Sequence, residues 1–111
     1  MAKAVAATVL LLGVAATGLA RAQVDAEAAK ALAKRNDCFK CHAIDKTKKG
    51  PAYKRVAARL KTKPDGVEVI VDHITSGRLV ELEDGTTEKH KVVDTTDPAD
   101  LGNLARWILS L

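Results

Sequence analysis

The sequence predicts a small all-α domain with about four helices and a small hairpin or loop at about 79–93. Two helix-start signals, at residues 65–68 (Asp-Gly-Val-Glu) and 97–100 (Asp-Pro-Ala-Asp), precede apolar residues at helical spacing. A hairpin is indicated only where Asp84 and Gly85 lie between alternating residues. The chain has 111 residues and no repeat or linker, which fits one domain.

Composition excludes several classes of protein. With 47% hydrophobic and 29% charged residues, the chain is not collagen-like, mucin-like or acidic and disordered. The net charge is only +4, and 3% aromatic residues offer few surfaces on which bases could stack. We therefore expect no nucleic-acid partner.

Residues 1–22 are typical of a secretory signal peptide. Lys3 precedes an apolar stretch at 4–20, and the small residues Ala20 and Ala22 stand before a cut after Ala22. The alternative is an uncleaved membrane anchor, but the stretch is shorter than the roughly 20 residues that span a bilayer. We expect export to the periplasm, removal of the leader, no stable membrane insertion afterwards and one mature domain at 23–111.

Four helices are predicted in that domain. The first starts at the cap residue Asp25 and ends at about Asn36, and the second occupies about 52–60. The third follows a predicted Asp65 capping box at 66–76, and the fourth starts at Pro98. The residues expected to face the core are Val24, Ala28, Ala29, Leu32, Ala33, Tyr53, Val56, Ala57, Leu60, Val67, Ile70, Val71, Ile74, Leu101, Leu104, Ala105, Ile108 and Leu111.

The two cysteines lie in one run, Cys-Phe-Lys-Cys-His at 38–42. A disulfide between Cys38 and Cys41 would close a very small loop and stabilise little. A thioredoxin-like redox pair needs a βαβ context that is missing, and no second Cys or His pair completes a zinc site. C-x-x-C-H is instead the attachment signal for c-type haem, which predicts one covalently attached haem c with His42 as an iron ligand. A haem would also supply the core that so small a domain needs.

The run at 38–42, residues 50–58 (Gly-Pro-Ala-Tyr-Lys-Arg-Val-Ala-Ala) and the final helix at 104–111 resemble class I cytochromes c of the small bacterial monohaem type. This resemblance implies an all-α fold around the haem, with the first and last helices crossing beside its edge. It implies that Pro51 accepts a hydrogen bond from Nδ1 of His42, and that Pro51, Tyr53 and Trp107 help to bind the cofactor.

The second axial ligand cannot be the methionine that is usual in the family, because the single methionine is Met1. His90 lies 17 residues before Trp107, in the segment that carries this ligand in the family. His73 lies about 120° from the apolar face of its predicted helix, at a boundary or solvent position. His90 is the favoured ligand, while His73, a lysine such as Lys89 or Lys91, and an open site are the alternatives.

A second imidazole in place of a thioether predicts a lower reduction potential than that of Met/His relatives. We therefore expect a periplasmic one-electron carrier and not an enzyme, since no catalytic constellation is evident. A haem-based sensor or gas-binding protein with a labile distal site is the alternative. Among class I cytochromes, the sequence most resembles the bis-histidine monohaem type associated with periplasmic iron-oxidation systems.

Charge is divided unevenly along the sequence. Residues 30–63 contain twelve Lys or Arg and two Asp, whereas residues 64–111 contain four basic and ten acidic residues. In the resembled family, the exposed haem edge is the electron-transfer surface. A basic rim there predicts redox protein partners with acidic docking surfaces.

Overall fold

The computed structural model describes residues 23–111, together with Ala2 and Gly13. The predicted signal peptide at 1–22 lies, apart from those two residues, outside the described part of the chain. No helix among the described residues is long and apolar enough to cross a membrane.

The described chain has five helices and one two-stranded antiparallel sheet, so the all-α prediction with a small hairpin is confirmed. Four of these helices match the predicted ones, and the fifth is a single turn that contains the two cysteines. The elements in chain order are α1 (Ala26–Arg35), α2 (Cys38–Cys41), α3 (Tyr53–Leu60), α4 (Gly66–Thr75), β1 (Leu79–Glu81), β2 (Thr87–Lys89) and α5 (Pro98–Leu109).

Side-chain caps start the first and last helices. The Asp25 carboxylate accepts from the Ala28 N–H at 3.0 Å, and the Asp97 carboxylate accepts from the Ala99 N–H at 2.9 Å. Each bond satisfies a backbone donor that lacks a partner within the helix. Pro98 has no N–H to lose at the first position of α5.

The predicted capping box at Asp65 is wrong, although α4 does begin at Gly66. Asp65 precedes the helix with φ −102° and ψ 17° and makes no side-chain cap hydrogen bond. An N-cap side chain reaches the helix from an extended backbone, and Asp65 is not extended. Gly66 instead packs against the end of α3, where a Cβ atom would lie 2.6 Å from the Leu60 carbonyl oxygen.

The terminal helix α5 is the centre of the core, since α1, α3 and α4 all pack against it. Leu104 is 1% exposed, and Ala105 between these helices is fully buried. Of the predicted core positions, Ala28 is wrong, because it lies on the exposed side of α1. The core cluster comprises Ala29, Leu32, Ala33, Tyr53, Leu60, Ile70, Ile74, Val93, Leu101, Leu104, Ala105, Trp107 and Ile108.

The hairpin lies between α4 and α5 in sequence and turns at Gly85, whose φ of +84° suits glycine. Val80 pairs with Glu88 at its centre. The Glu83 N–H donates to the Lys49 carbonyl at 3.1 Å, so the hairpin contacts the loop that follows α2. The residues after the hairpin begin at its other end, where the His90 N–H donates to the Arg78 carbonyl.

Candidate haem site

Helix α2 places both cysteines on one helical turn. The backbone N–H of His42 donates to the Cys38 carbonyl at 2.9 Å, and His42 then leaves the helix with φ −121° and ψ 141°. Both thiols are free and half-buried, and burial raises the pKa of the Cys38 thiol. The turn therefore presents two thiols and an imidazole from five consecutive residues.

The His42 imidazole is held on two sides. Nδ1 donates to the Pro51 carbonyl at 2.7 Å, which leaves Nε2 free as an electron-pair donor. The Tyr53 ring stacks on the imidazole with centroids 4.9 Å apart and planes 15° from parallel. Burial lowers the pKa of His42, which favours the neutral form that binds a metal.

Gly50 packs directly against the same ring. A Cβ atom at Gly50 would lie 2.7 Å from Cε1 of His42, which is closer than non-bonded carbon atoms approach in proteins. The Gly50 N–H donates to the Cys41 carbonyl at 2.8 Å and fixes the backbone at this contact. The importance of Gly50 was not evident from the sequence, where its only signal was its place before Pro51.

Three aromatic rings surround the base of the site. Trp107 of α5 and Phe39 of α2 meet edge to face at 6.5 Å, and Tyr53 meets Trp107 in the same manner at 5.9 Å. Burial raises the pKa of the Tyr53 hydroxyl, so this ring is neutral at physiological pH. Phe39, an undefined position of the C-x-x-C-H motif, was not among the predicted site residues.

His90 follows β2, and its ring centroid lies 6.3 Å from that of His42, with the two ring planes tilted by 46°. Nδ1 of His90 lies 2.9 Å from the Lys91 carbonyl and donates to it, which leaves Nε2 free. His73 of α4 meets His90 edge to face at 4.4 Å, and burial lowers the pKa of His73. The structure therefore brings all three histidines of the sequence together.

The residues present fit a covalently attached haem. Two imidazoles on opposite sides of one metal have centroids about 6 Å apart, because a metal–imidazole bond is about 2 Å and the ring centre lies about 1 Å beyond the nitrogen. The observed separation of His42 and His90 is 6.3 Å. Each ring also has its Nδ1 bound to a carbonyl, the arrangement that orients metal-binding histidines.

Comparison with known proteins decides the family. The family model for cytochrome c matches residues 26–111. The chain belongs to the cytochrome c family. It is 36% identical over 90 residues to cytochrome c-552 of Nitrosomonas europaea, an alignment that covers 81% of each chain.

Solved structures of cytochromes c support the same family assignment. The class 1 cytochrome MtoD from Sideroxydans lithotrophicus ES-1 matches with a TM-score of 0.76 and 45% identity, covering 79% of this chain and 97% of that one. Nitrosomonas europaea cytochrome c552 matches with a TM-score of 0.59 and 32% identity, covering 73% and 96%. This protein is therefore a class I monohaem cytochrome c with one covalently attached haem c, and it carries electrons between redox partners.

Haem c supplies an iron that gains or loses one electron, and the chain supplies attachment and orientation. Cys38 and Cys41 are the thiols available to bond the porphyrin, and His42 is the adjacent imidazole. The Pro51 carbonyl and the Gly50 backbone keep that imidazole in one orientation. The buried Tyr53 ring stacks on the His42 imidazole, and the buried Trp107 ring packs against Tyr53, so that both exclude water from that side of the site.

Folding brings some basic residues of one half of the sequence next to acidic residues of the other half. Arg35 in the basic half pairs with Asp94 in the acidic half at 3.0 Å, and Lys91 pairs with Asp37 at 3.4 Å. Lys40 in the cysteine turn also lies 3.3 Å from Asp37. The exposed lysines of the loop after His42 remain as basic charge beside the site.

We expect Gly50→Ala to disturb the proximal imidazole. The new Cβ would force His42 or the loop to move, which lowers the unfolding free energy by about 1–3 kcal/mol and shifts the reduction potential by tens of millivolts. Potentiometric titration and denaturant unfolding of the haem-loaded protein measure both effects. Gly85→Ala is the control: its positive φ makes alanine cost about 1 kcal/mol, with no contact to the site. An unchanged potential in Gly50→Ala would contradict this role.

Proposed function

We propose that this cytochrome is a periplasmic one-electron carrier whose iron is bound by His42 and His90. The observation that carries the proposal is the pair of neighbouring imidazoles, with centroids 6.3 Å apart, each with Nδ1 held by a backbone carbonyl. The residues described from 23 onwards include no methionine that could act in place of His90.

His90 is favoured over His73 for two reasons. His90 combines the centroid distance from His42 with an orienting hydrogen bond to the Lys91 carbonyl. Its backbone N–H also donates to the Arg78 carbonyl at 2.8 Å, which fixes the start of its segment. The His73 ring meets the His90 ring edge to face at 4.4 Å, and no orienting hydrogen bond of its imidazole is seen among the described residues.

Ligation of the iron by two imidazoles determines the range of its reduction potential. Thioether ligation raises the potential of Met/His cytochromes, and imidazole is a stronger donor to ferric iron. A ligand that binds ferric iron tenfold more tightly than ferrous iron lowers a one-electron potential by about 59 mV. We therefore propose that this carrier works at a lower potential than its methionine-ligated relatives.

His90→Ala should convert the ferric spectrum from low spin to high spin and raise the reduction potential by about 60–120 mV. It should also let the ferrous protein bind carbon monoxide rapidly, because the distal position is open. Optical spectroscopy, redox titration and stopped-flow mixing with carbon monoxide check these results.

His73→Ala is the matched control and should keep the low-spin spectrum. The ligand assignment fails if His90→Ala remains low spin, and His73 becomes the ligand if only His73→Ala turns high spin. Rapid carbon monoxide binding to the unmodified ferrous protein would instead support the alternative of a gas-binding or sensor haem.

We also propose that the partners dock through acidic surfaces. Lys46 and Lys49 are exposed in the loop between His42 and Gly50, and Lys54 is exposed in the first turn of α3 beside Tyr53. Positive charge at the electron-transfer surface accelerates the approach of negatively charged partners, and salt screens this effect.

Lys46→Glu should slow oxidation of the ferrous protein by the anion hexacyanoferrate(III) roughly 3–10-fold at low salt and accelerate oxidation by a cationic cobalt(III) phenanthroline complex. Both changes should vanish at high salt. Lys63→Glu makes the same charge change beyond the other end of α3 and is the control. Equal effects of the two substitutions would mean that only net charge matters.

The periplasmic location rests on the predicted leader. The haem protein isolated from the native cell should begin at Gln23, as mass spectrometry and N-terminal sequencing would show. Recovery of haem protein from membranes with residues 1–22 still attached would support the uncleaved anchor and contradict this part of the proposal.

We further propose a place in an Fe(II)-oxidation electron-transfer chain. The support is the sequence resemblance to cytochromes associated with such systems, together with 45% identity to the class 1 cytochrome of Sideroxydans lithotrophicus ES-1. A strain lacking this protein should lose most of its Fe(II)-dependent respiration and regain it on complementation. Undiminished respiration would remove the protein from that chain.

A further inference from the structure

A buried asparagine connects the cysteine-containing turn to the segment that carries His90. Asn36 is the C-cap of α1, two residues before Cys38, and is 2% exposed. Its Nδ2 donates to the Leu32 carbonyl at 2.9 Å and to the Asp94 carboxylate at 3.0 Å, and its Oδ1 accepts from the Asp94 N–H at 2.9 Å. Both donor hydrogens and the acceptor are therefore used.

The function proposed above does not account for this arrangement. A buried amide destabilises a protein unless it is hydrogen-bonded, so the partners of Asn36 are what allow this side chain to be buried. Two of the three bonds reach across 58 residues of sequence to the same residue, Asp94. Asn36 therefore fixes the position of residue 94 relative to the turn that precedes Cys38.

The chain between His90 and Asp94 is held by hydrogen bonds at residue 90 and again at residues 93 and 94. The His90 N–H donates to the Arg78 carbonyl at 2.8 Å, and the Val93 N–H donates to the Ile74 carbonyl at 3.0 Å. Val93 is also buried in the core. With Asn36 holding Asp94, the segment 90–94 has little freedom to carry the His90 ring away from His42.

Arg35 adds a weaker bond to the same residue. Its guanidinium contacts both Asp94 carboxylate oxygens, at 3.0 and 3.3 Å, but both side chains are about half exposed. Solvent and salt weaken such a surface pair, whereas the Asn36 amide is shielded. The amide is the principal fixed point.

We propose that Asn36 is a positioning residue for the distal imidazole. Through its bonds to Asp94, Asn36 ties the His90 segment to the cysteine-containing turn, which the haem would hold through Cys38. The two iron ligands His42 and His90 therefore move together. Departure of His90 then requires the Asn36–Asp94 bonds to break. This inference rests on the proposed ligation by His42 and His90.

The test is the rate at which cyanide replaces the distal ligand in the ferric, haem-loaded protein. Asn36→Ala should accelerate cyanide binding about tenfold, because the Asp94 N–H and carboxylate lose their partner and the segment opens more often. The resting ferric spectrum should stay low spin. Stopped-flow absorbance at fixed pH and salt gives the rate.

Asn103→Ala is the matched control. Asn103 makes the same kind of two-way amide contact, accepting from the Asp25 N–H at 2.9 Å and donating to the Asp25 carbonyl at 2.8 Å, and these bonds do not involve residues 90–94. Its loss should destabilise the protein without changing the cyanide rate. Equal acceleration in Asn36→Ala and Asn103→Ala, or none in Asn36→Ala, would overturn the inference.

Substitutions of the exposed residue Asp94 provide a second test if Asn36→Ala does not fold. Asp94→Asn retains an acceptor for Nδ2 of Asn36 but removes the charge, so its cyanide rate should stay within about twofold of the unmodified protein. Asp94→Ala removes that acceptor and should accelerate binding about threefold. Equal rates for these two variants would overturn the role of the amide.

Failure of the proposed ligation has a different signature. A high-spin ferric spectrum in the unmodified protein, or a low-spin spectrum in His90→Ala, would refute ligation by His90 whatever the Asn36 variants do. A low-spin protein that depends on His90 but is insensitive to Asn36→Ala would refute only the positioning role.

Discussion

The hydrogen bond from the His42 imidazole to the Pro51 carbonyl is the constraint on which the site depends. It selects the tautomer with Nε2 free and turns that nitrogen away from the loop. The loop can hold this position because the Tyr53 N–H donates to the Ala43 carbonyl and the Gly50 N–H to the Cys41 carbonyl. A side chain at position 50 would prevent the same approach.

Helix α5 transmits this local order to the rest of the domain. It packs against α1, α3 and α4, and Trp107 meets both Phe39 of the cysteine turn and Tyr53 of α3. Edge-to-face contacts fix ring orientation as well as separation. The C-terminal helix therefore supports the elements that present the thiols and the proximal imidazole, although it supplies no iron ligand itself.

The helices could be predicted because their signals are local. Apolar spacing identified α1, α3, α4 and α5, and Asp25 and Asp97 form the caps that their positions suggest. Asp65 fails as a side-chain cap because tertiary packing of Gly66 against α3 sets the start of α4. Ala28 fails as a core residue because the face of α1 that meets α5 is narrower than the apolar stripe.

The sequence by itself determined the covalent chemistry. The spacing of Cys38, Cys41 and His42 predicts haem attachment, and the lack of methionine in the predicted mature domain at 23–111 predicts an iron ligand other than the usual thioether. Only the tertiary structure places the His90 ring 6.3 Å from that of His42, since the path of 90–94 depends on hydrogen bonds to Arg78, Ile74 and Asn36. These hydrogen-bond partners are distant or irregularly spaced in sequence, so no periodic pattern of residues predicts them. The haem motif could be predicted because it lies within one helical turn, where local backbone geometry fixes the positions of its side chains.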